Sequence, residues 1–301
     1  MKIAATIEDG KVPVLLPEDL ARALQGLSAE EQSILLAQIR RGREGNPRAD
    51  AFSVFRESLK FRADRTNPLL DNYEELSTVK APPVLKEYPG AEKVELPRDF
   101  LPLDASLEQV LEARASRRDY ARIPVSLQEL STLLHYAYGV RKHMVAYNVR
   151  HFPMRYCPSA GGLQSAEVYL VANQVEGLRK GLWHYYPARH QLELLSEGNM
   201  RRKVVDACMY AEFLHYPGLV LILTGVMSRL RWKYGLRAYR YAHVDAGFVG
   251  ENLYLVATAL RLRVCAVAGF FDDRVDELLD IDGQDEFTVL LMAVGKRPQR
   301  S

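Results

Sequence analysis

The sequence predicts an α+β fold, and three observations carry that reading. Apolar strand-like runs and amphipathic helices are mixed without a regular βαβ alternation. The runs LWHYYP and QLELLS flank Pro187-Ala188-Arg189 and read as a hairpin. After Gly235 the chain reads as one helix to Leu260, far longer than the others and apolar on nearly every side.

In chain order, residues 1 to about 45 read as a small helical element. Pro17-Glu18-Asp19 can open a short helix, and Ser28-Ala29-Glu30-Glu31 is a capping box ahead of Ile34, Leu35 and Ile39. Arg40, Arg41 and Arg43 suit a helix C-terminus. AFSVFRESLKFR is expected to form a second amphipathic helix within 46–67. From Asn67 to Pro102 the breakers Pro82-Pro83, Pro89-Gly90 and Pro97 predict an extended arm, with Val84, Leu85 and Tyr88 seeking a surface to cover. The expected division is therefore 1–95 as helical extension and arm, and 96–301 as the main domain.

Ser106-Leu107-Glu108-Gln109 opens a helix to about Ala115, and Ser126-Leu127-Gln128-Glu129 opens another with Leu127, Leu130, Leu133, Leu134 and Ala137 on one face. A loop leads to the glycine turn Pro158-Ser159-Ala160-Gly161-Gly162 and then to a strand. The hairpin follows, then a helix over 200–210, the buried strand LVLILTGV and the long helix. The strand RVCAVAGF, the short helix DDRVDELLD and the strand EFTVLLMAVG complete the chain. The long helix, at about 1.5 Å per residue, would span nearly 40 Å. Gly247 and Gly250 sit within it, each costing about 1 kcal/mol relative to Ala. Close approach of another backbone or a flat ligand would offset that cost.

Composition narrows the function classes. Of the 301 residues, 48% are hydrophobic and 26% charged, as expected of an ordinary globular chain. A net charge of +2 gives no case for general nucleic-acid binding. Cys157, Cys208 and Cys265 are widely spaced and form no CxxC, which argues against a disulfide framework or zinc site and fits the cytoplasm. There is no signal-like N-terminus and no apolar run long enough for a membrane span. The seven histidines show no HxxxH or HExxH spacing, so no metal is expected. GxSxG, the Walker loop and GxGxxG are absent, which leaves serine-hydrolase, P-loop and Rossmann readings without support.

Three short segments carry chemistry. Arg114-Ala115-Ser116-Arg117-Arg118 gathers guanidinium forks and a hydroxyl, a set that matches a phosphate. Its place at a helix end would also favour cations without any ligand. Pro158 to Gly162 lets backbone N–H groups approach a flat or anionic ligand, although a plain turn would read the same. Lys233-Tyr234 sets an amine beside a phenol ahead of the long helix, where burial would favour a partly neutral lysine; a snorkelling lysine and a packed tyrosine is the plain alternative.

Taken in order over about 104–297, these pieces resemble the nitroreductase-like flavoproteins, and within them the SagB/ThcOx-type dehydrogenases that oxidise peptide azolines to azoles. The resemblance implies a nitroreductase-like fold, a central, mostly antiparallel sheet flanked by helices with the long helix buried at a dimer interface. It implies FMN as cofactor, with Arg114, Ser116 and Arg118 on its phosphate and ribityl chain and Pro158, Ser159, Ala160, Gly161 and Gly162 against its ring. Ala268-Gly269 would make a second ring contact, and Lys296-Arg297 would return to the phosphate. Lys233 and Tyr234 match the catalytic Lys-Tyr pair of the azoline oxidases, and Arg237 to Tyr241 also looks like that subfamily. The sequence departs from the family at Asp245-Ala246-Gly247-Phe248, at Glu251 and at Gln164-Ser165, which puts the pocket wall and hence the substrate in question.

From the resemblance the expected enzyme is a homodimeric FMN-dependent azoline dehydrogenase, acting on a peptide and associating with a cyclodehydratase complex. Lys233, partly neutral, would take the proton alpha to the imine carbon, hydride would pass to flavin N5, and Tyr234 would orient the ring or relay the proton. Dioxygen would reoxidise the flavin. Two other enzyme readings stay open: an NAD(P)H-dependent nitro or quinone reductase, and an oxidase of carrier-bound thiazolines in a nonribosomal assembly line. A non-catalytic subunit that clamps a peptide-modifying complex through residues 1–95 is the reading from another class.

Overall fold

The structure, a computed structural model, describes residues 81–298. The helices expected before residue 68, and the arm up to Lys80, lie outside the described residues. Seven strands form one sheet in the order β1-β6-β5-β4-β7-β9-β8, with every neighbouring pair antiparallel. These are β1 (Glu92–Glu95), β4 (Ala166–Ala172), β5 (Gly181–Tyr186), β6 (Gln191–Glu197), β7 (Leu219–Val226), β8 (Arg263–Val267) and β9 (Glu286–Gly295). β2 (Val140–Ala146) and β3 (Val149–Arg155) form a separate two-stranded hairpin. The α+β expectation holds.

Helices cover both faces of the sheet. α1 (Leu107–Ala113) and α2 (Leu127–Tyr138) start at the expected capping boxes, in which Ser106 pairs reciprocally with Gln109 and Ser126 with Glu129. α2 and α5 (Ala238–Ala259) pack on one face, against Leu170, Leu221, Leu223 and Met292. α3 (Arg201–Ala207) and α6 (Asp272–Leu279) cover the other, against Val171, Val220, Ile222 and Leu291. Successive strand residues point to opposite faces. With both faces covered, every residue of β7 is buried, which explains its unbroken apolar run.

The arm lies on this body. Val84 is buried beside Phe152 and Leu230, Leu96 enters the main core, and Tyr88 edges His184 at 5.2 Å. β1, just ahead of the boundary expected at residue 96, pairs with β6.

Three differences from expectation bear on the site. The segment read as a loop after α2 is the β2–β3 hairpin. A separate helix, α4 (Ser228–Tyr234), precedes α5 and carries Lys233 and Tyr234; Gly235, at φ 53°, separates it from α5. Third, α5 is not buried all round within the chain. Val244 and Phe248 are exposed on one side, Phe248 by 42%, Tyr239 is exposed near the helix start, and a Cβ added to Gly247 would meet nothing within 4 Å. At Gly250 a Cβ would come within 3.1 Å of Leu290, so of the two it is this glycine that serves close helix–sheet packing.

Candidate active site

Two groups of the expected residues come together on opposite sides of α5. The first surrounds the glycine turn. Asp245 on α5 is buried and holds the turn in place: Oδ1 accepts from the Ala160 N–H at 2.8 Å, and Oδ2 accepts from the Ser165 hydroxyl at 2.6 Å. Burial pushes the Asp245 carboxyl up, and these hydrogen bonds partly offset that shift. Ser159 Oγ accepts from the Gln164 N–H at 3.0 Å. Gly161 and Gly162 take φ of 59° and 70°, the left-handed region that glycine enters without steric cost.

α4 and the hairpin tip converge on Gly161. A Cβ built there would stand 2.5 Å from Tyr234 Oη, 3.0 Å from Tyr147 Oη and 3.2 Å from Lys233 Nζ. Tyr147 donates to the Gly161 carbonyl at 2.6 Å and accepts from Lys233 Nζ at 2.8 Å. Tyr147 and Asn148 form the turn between β2 and β3 with φ of 50° and 58°. Asn tolerates that region, whereas a bulky residue there is strained and is held by its surroundings. The holding contacts are those two hydrogen bonds, the Phe152 ring at 5.5 Å and the edge-on Trp232 ring at 5.6 Å. Sequence reasoning missed Tyr147. Nothing near it in the chain marks it, because its partners lie 14 and 86 residues away.

The electrostatics correct one expectation. Lys233 is half-buried, and burial alone would lower its pKa, but the hydrogen bond to Tyr147 and the neighbouring Tyr234 outweigh burial and carry it above the ordinary value. Tyr234 is raised as well, by burial first, with Lys233 opposing. The resting pair is therefore the Lys233 ammonium beside the neutral Tyr234 phenol.

α4 is anchored from beneath by Arg229, one turn before Lys233. Buried Arg229 donates to the Gln164 carbonyl at 2.9 Å and the Pro83 carbonyl at 3.1 Å, and pairs with Glu167. Glu167 in turn meets His184 at 3.1 Å, and His184 meets Glu193 at 2.9 Å. The lysine thus stands on a helix tied to the glycine turn and to the central sheet.

The second group lies along β8. Ser116 forms a parallel bridge with Val264, and Arg117 N–H donates to the Val264 carbonyl at 2.8 Å. Ser116 Oγ and Tyr254 Oη are 2.8 Å apart, and Tyr254 Oη also accepts from the Ala266 N–H at 2.8 Å. Arg114 lies over the Tyr254 ring at 5.3 Å, and Arg118 over Phe213 at 5.7 Å. Ala268-Gly269 follows β8 and is exposed. Lys296 follows β9; its carbonyl accepts from Ala121, and its ammonium pairs with Glu129. Arg297 is exposed beside it. Asp245 and Tyr254 are nine residues apart, so the two groups are set off by about half a revolution of α5 and roughly 13 Å along its axis.

The three cysteines are free and buried. Among the described residues no helix is long and apolar enough to cross a membrane.

Among known proteins, the model of the nitroreductase family matches residues 111–296. The nitroreductase-family protein MJ1384 of Methanocaldococcus jannaschii is 34% identical over 194 residues, 64% of this chain and 92% of its own. The microcin B17-processing protein McbC of Escherichia coli is 28% identical over 132 residues, 42% of this chain and 48% of its own length. A crystal structure of a nitroreductase-family protein of Anabaena variabilis superimposes with a TM-score of 0.63 at 25% identity, covering 82% of this chain and 47% of that one.

Proposed function

Because the chain belongs to the nitroreductase family of oxidoreductases, we propose that it is an FMN-dependent dehydrogenase that oxidises peptide thiazolines or oxazolines to thiazoles or oxazoles. One observation carries this reading: Lys233 and Tyr234 close on the backbone of Gly161 in the turn that the family resemblance sets against a flavin ring. The similarity to a protein that processes microcin B17 supports a peptide substrate.

The residues fit FMN. Arg114, Ser116 and Arg118 supply a hydroxyl and two guanidinium groups suited to a phosphate, and the space at Gly161 has no room for a Cβ beside Lys233. FMN, when bound, supplies the two-electron acceptor for hydride from the ring carbon next to the one that loses its proton, and dioxygen restores it. Lys233, in its neutral form, takes the proton from the carbon alpha to the imine. Tyr147 fixes the amine by accepting one N–H while its own hydroxyl stays committed to Gly161, which leaves the amine lone pair free for the substrate. Tyr234 orients the ring. The substrate loses one proton and one hydride, and the new ring double bond makes it aromatic.

A second copy of the chain completes the site. The phosphate-binding residues and the Lys233 group stand on opposite sides of α5, so one chain does not offer both to one cofactor. The exposed face of α5 that carries Val244 and Phe248 is a surface for that copy. Association with a cyclodehydratase, which would make the azoline, belongs to this proposal.

The test is the absorbance spectrum of the purified protein, followed by incubation with a thiazoline peptide. Bound flavin and a product lighter by two hydrogens are expected, and Lys233→Ala should keep the flavin and lose turnover by about 10²–10⁴-fold. A yellow protein that never alters the peptide would end the proposal. The 34% identity to MJ1384 favours a second reading, an NAD(P)H-dependent nitro or quinone reductase. Rapid bleaching of the flavin by NADPH with no azoline oxidation would decide for it.

A further inference from the structure

We propose that the β2–β3 hairpin is a docking arm for an extended, acidic segment of the substrate peptide, lying beside the Lys233 site. The inference rests on the reading of Lys233 as the reaction centre, but its evidence is separate. Among the described residues β2 and β3 pair only with each other, so the outer edge of β2 presents backbone donors and acceptors without a neighbouring strand, the arrangement that accepts an added strand. Arg141 to Val145 is an unbroken exposed run on β2, and Arg150 and His151 are exposed on β3. The register shifts around Arg141 and Val145, and Val145 is 73% exposed.

The charge on this arm has one sign. Between Glu129 and Glu167 the chain carries no Asp or Glu. Arg141, Lys142 and Arg150 make no ion pair among the described residues, unlike Lys86, Lys93, Arg179 and Arg229. Met144 and Val145 sit among the cations, and an apolar–cationic edge matches a peptide strand with alternating acidic and apolar side chains. Three fixed cations on a chain of net charge +2 make a poor match for a polyphosphate backbone.

Position gives the arm its use. Tyr147 at its tip accepts from Lys233 and donates to Gly161. A peptide paired along the hairpin edge is delivered to the amine, with its charged segment held a few residues from the reacting ring.

The measurement is fluorescence anisotropy of a labelled peptide of alternating glutamate and valine, without any azoline, titrated with the full-length protein. Its counterpart has lysine for glutamate. The acidic peptide should bind, the lysine peptide should not, and affinity should fall as salt rises. The triple variant Arg141→Glu, Lys142→Glu, Arg150→Glu should bind roughly tenfold or more weakly. Equal binding by parent and variant would overturn the proposal, as would tighter binding of a single-stranded oligonucleotide. A changed molecular mass for the variant in size-exclusion chromatography would also overturn it, since a second copy would then cover the strip. No ring is oxidised in this measurement, so its failure leaves the assignment of Lys233 standing, and a lack of azoline turnover leaves its result standing.

Discussion

The amine of Lys233 and the hydroxyl of Tyr147 stand 2.8 Å apart, although 86 residues separate them in the chain. That bond joins a short helix to the tip of a hairpin that, among the described residues, belongs to no larger sheet. It helps hold the amine's pKa above its ordinary value and fixes the direction of the amine.

Tyr147→Phe keeps the ring against Trp232 and Phe152 and removes only the hydroxyl. The amine then loses its acceptor, and kcat is expected to fall about tenfold through misorientation while KM stays within about twofold. The tyrosine raises Lys233, so its loss should also move the alkaline limb of the rate profile to lower pH. Full-rate turnover with an unmoved profile would remove Tyr147 from the site.

The pH dependence of the wild-type enzyme follows from the direction of the Lys233 shift. With a folded value above the ordinary 10.5, the neutral amine is a fraction well under roughly one in a thousand at pH 7 and grows about tenfold per pH unit. Log kcat/KM for azoline oxidation should therefore climb with unit slope from neutral pH toward 10. A flat profile between pH 7 and 9 would exclude Lys233 as the base.

Gly161→Ala meets two obstacles, a φ of 59° and a Cβ within 2.5 Å of Tyr234 Oη. Gly177→Ala is the matched control, because its φ of 72° imposes the backbone strain while its Cβ would touch nothing. Both should cost roughly 1–2 kcal/mol in denaturant unfolding. Only Gly161→Ala should cut turnover, by at least about tenfold, as the Cβ displaces the phenol. Equal activities for the two variants would separate the turn from the chemistry.

The charged group beneath α4 predicts how stability changes with pH. Burial alone would raise Glu167, but Arg229 and His184 outweigh it and hold the carboxyl at about 2 against an ordinary 4.5. Its contribution to stability is present above about 4.5 and is lost as pH falls toward 2. His184 is shifted the other way: burial lowers it and the two carboxylates, Glu167 and Glu193, raise it. Its contribution is complete below its ordinary 6.5 and is lost as pH rises through its raised folded value. Glu167→Gln should cost about 3 kcal/mol at neutral pH and flatten the acid limb of chemical unfolding. An unchanged acid limb would assign the acid sensitivity to other carboxylates.

Much of the fold was legible because its signals are local. The capping boxes at Ser106 and Ser126 act over three residues, and the β5–β6 hairpin is flagged by Pro187 between two apolar runs. The β2–β3 hairpin was not legible. Its strands carry Arg, Lys and His on exposed faces in place of alternating apolar residues, and its turn is Tyr147-Asn148 without a glycine. α4 was hidden because SRLRWKY runs into the long helix in pattern, and only the φ of Gly235 separates them. Asp245 could be read as a departure from a family pattern, but not as the carboxylate that anchors the Ala160 N–H.

The sequence alone determined the α+β class, the succession along the chain of most helices and strands after residue 105, and the short segments able to carry chemistry, since each depends on residues within a turn or two of one another. Tertiary structure decided which segments meet: Gly161 with Lys233, Tyr234 and Tyr147 on one side of α5, and Ser116 with Tyr254 on the other. It also decided which way the lysine's pKa moves, because a pKa answers to what stands within a few ångströms in space, and here burial is outweighed by the phenols of Tyr147 and Tyr234.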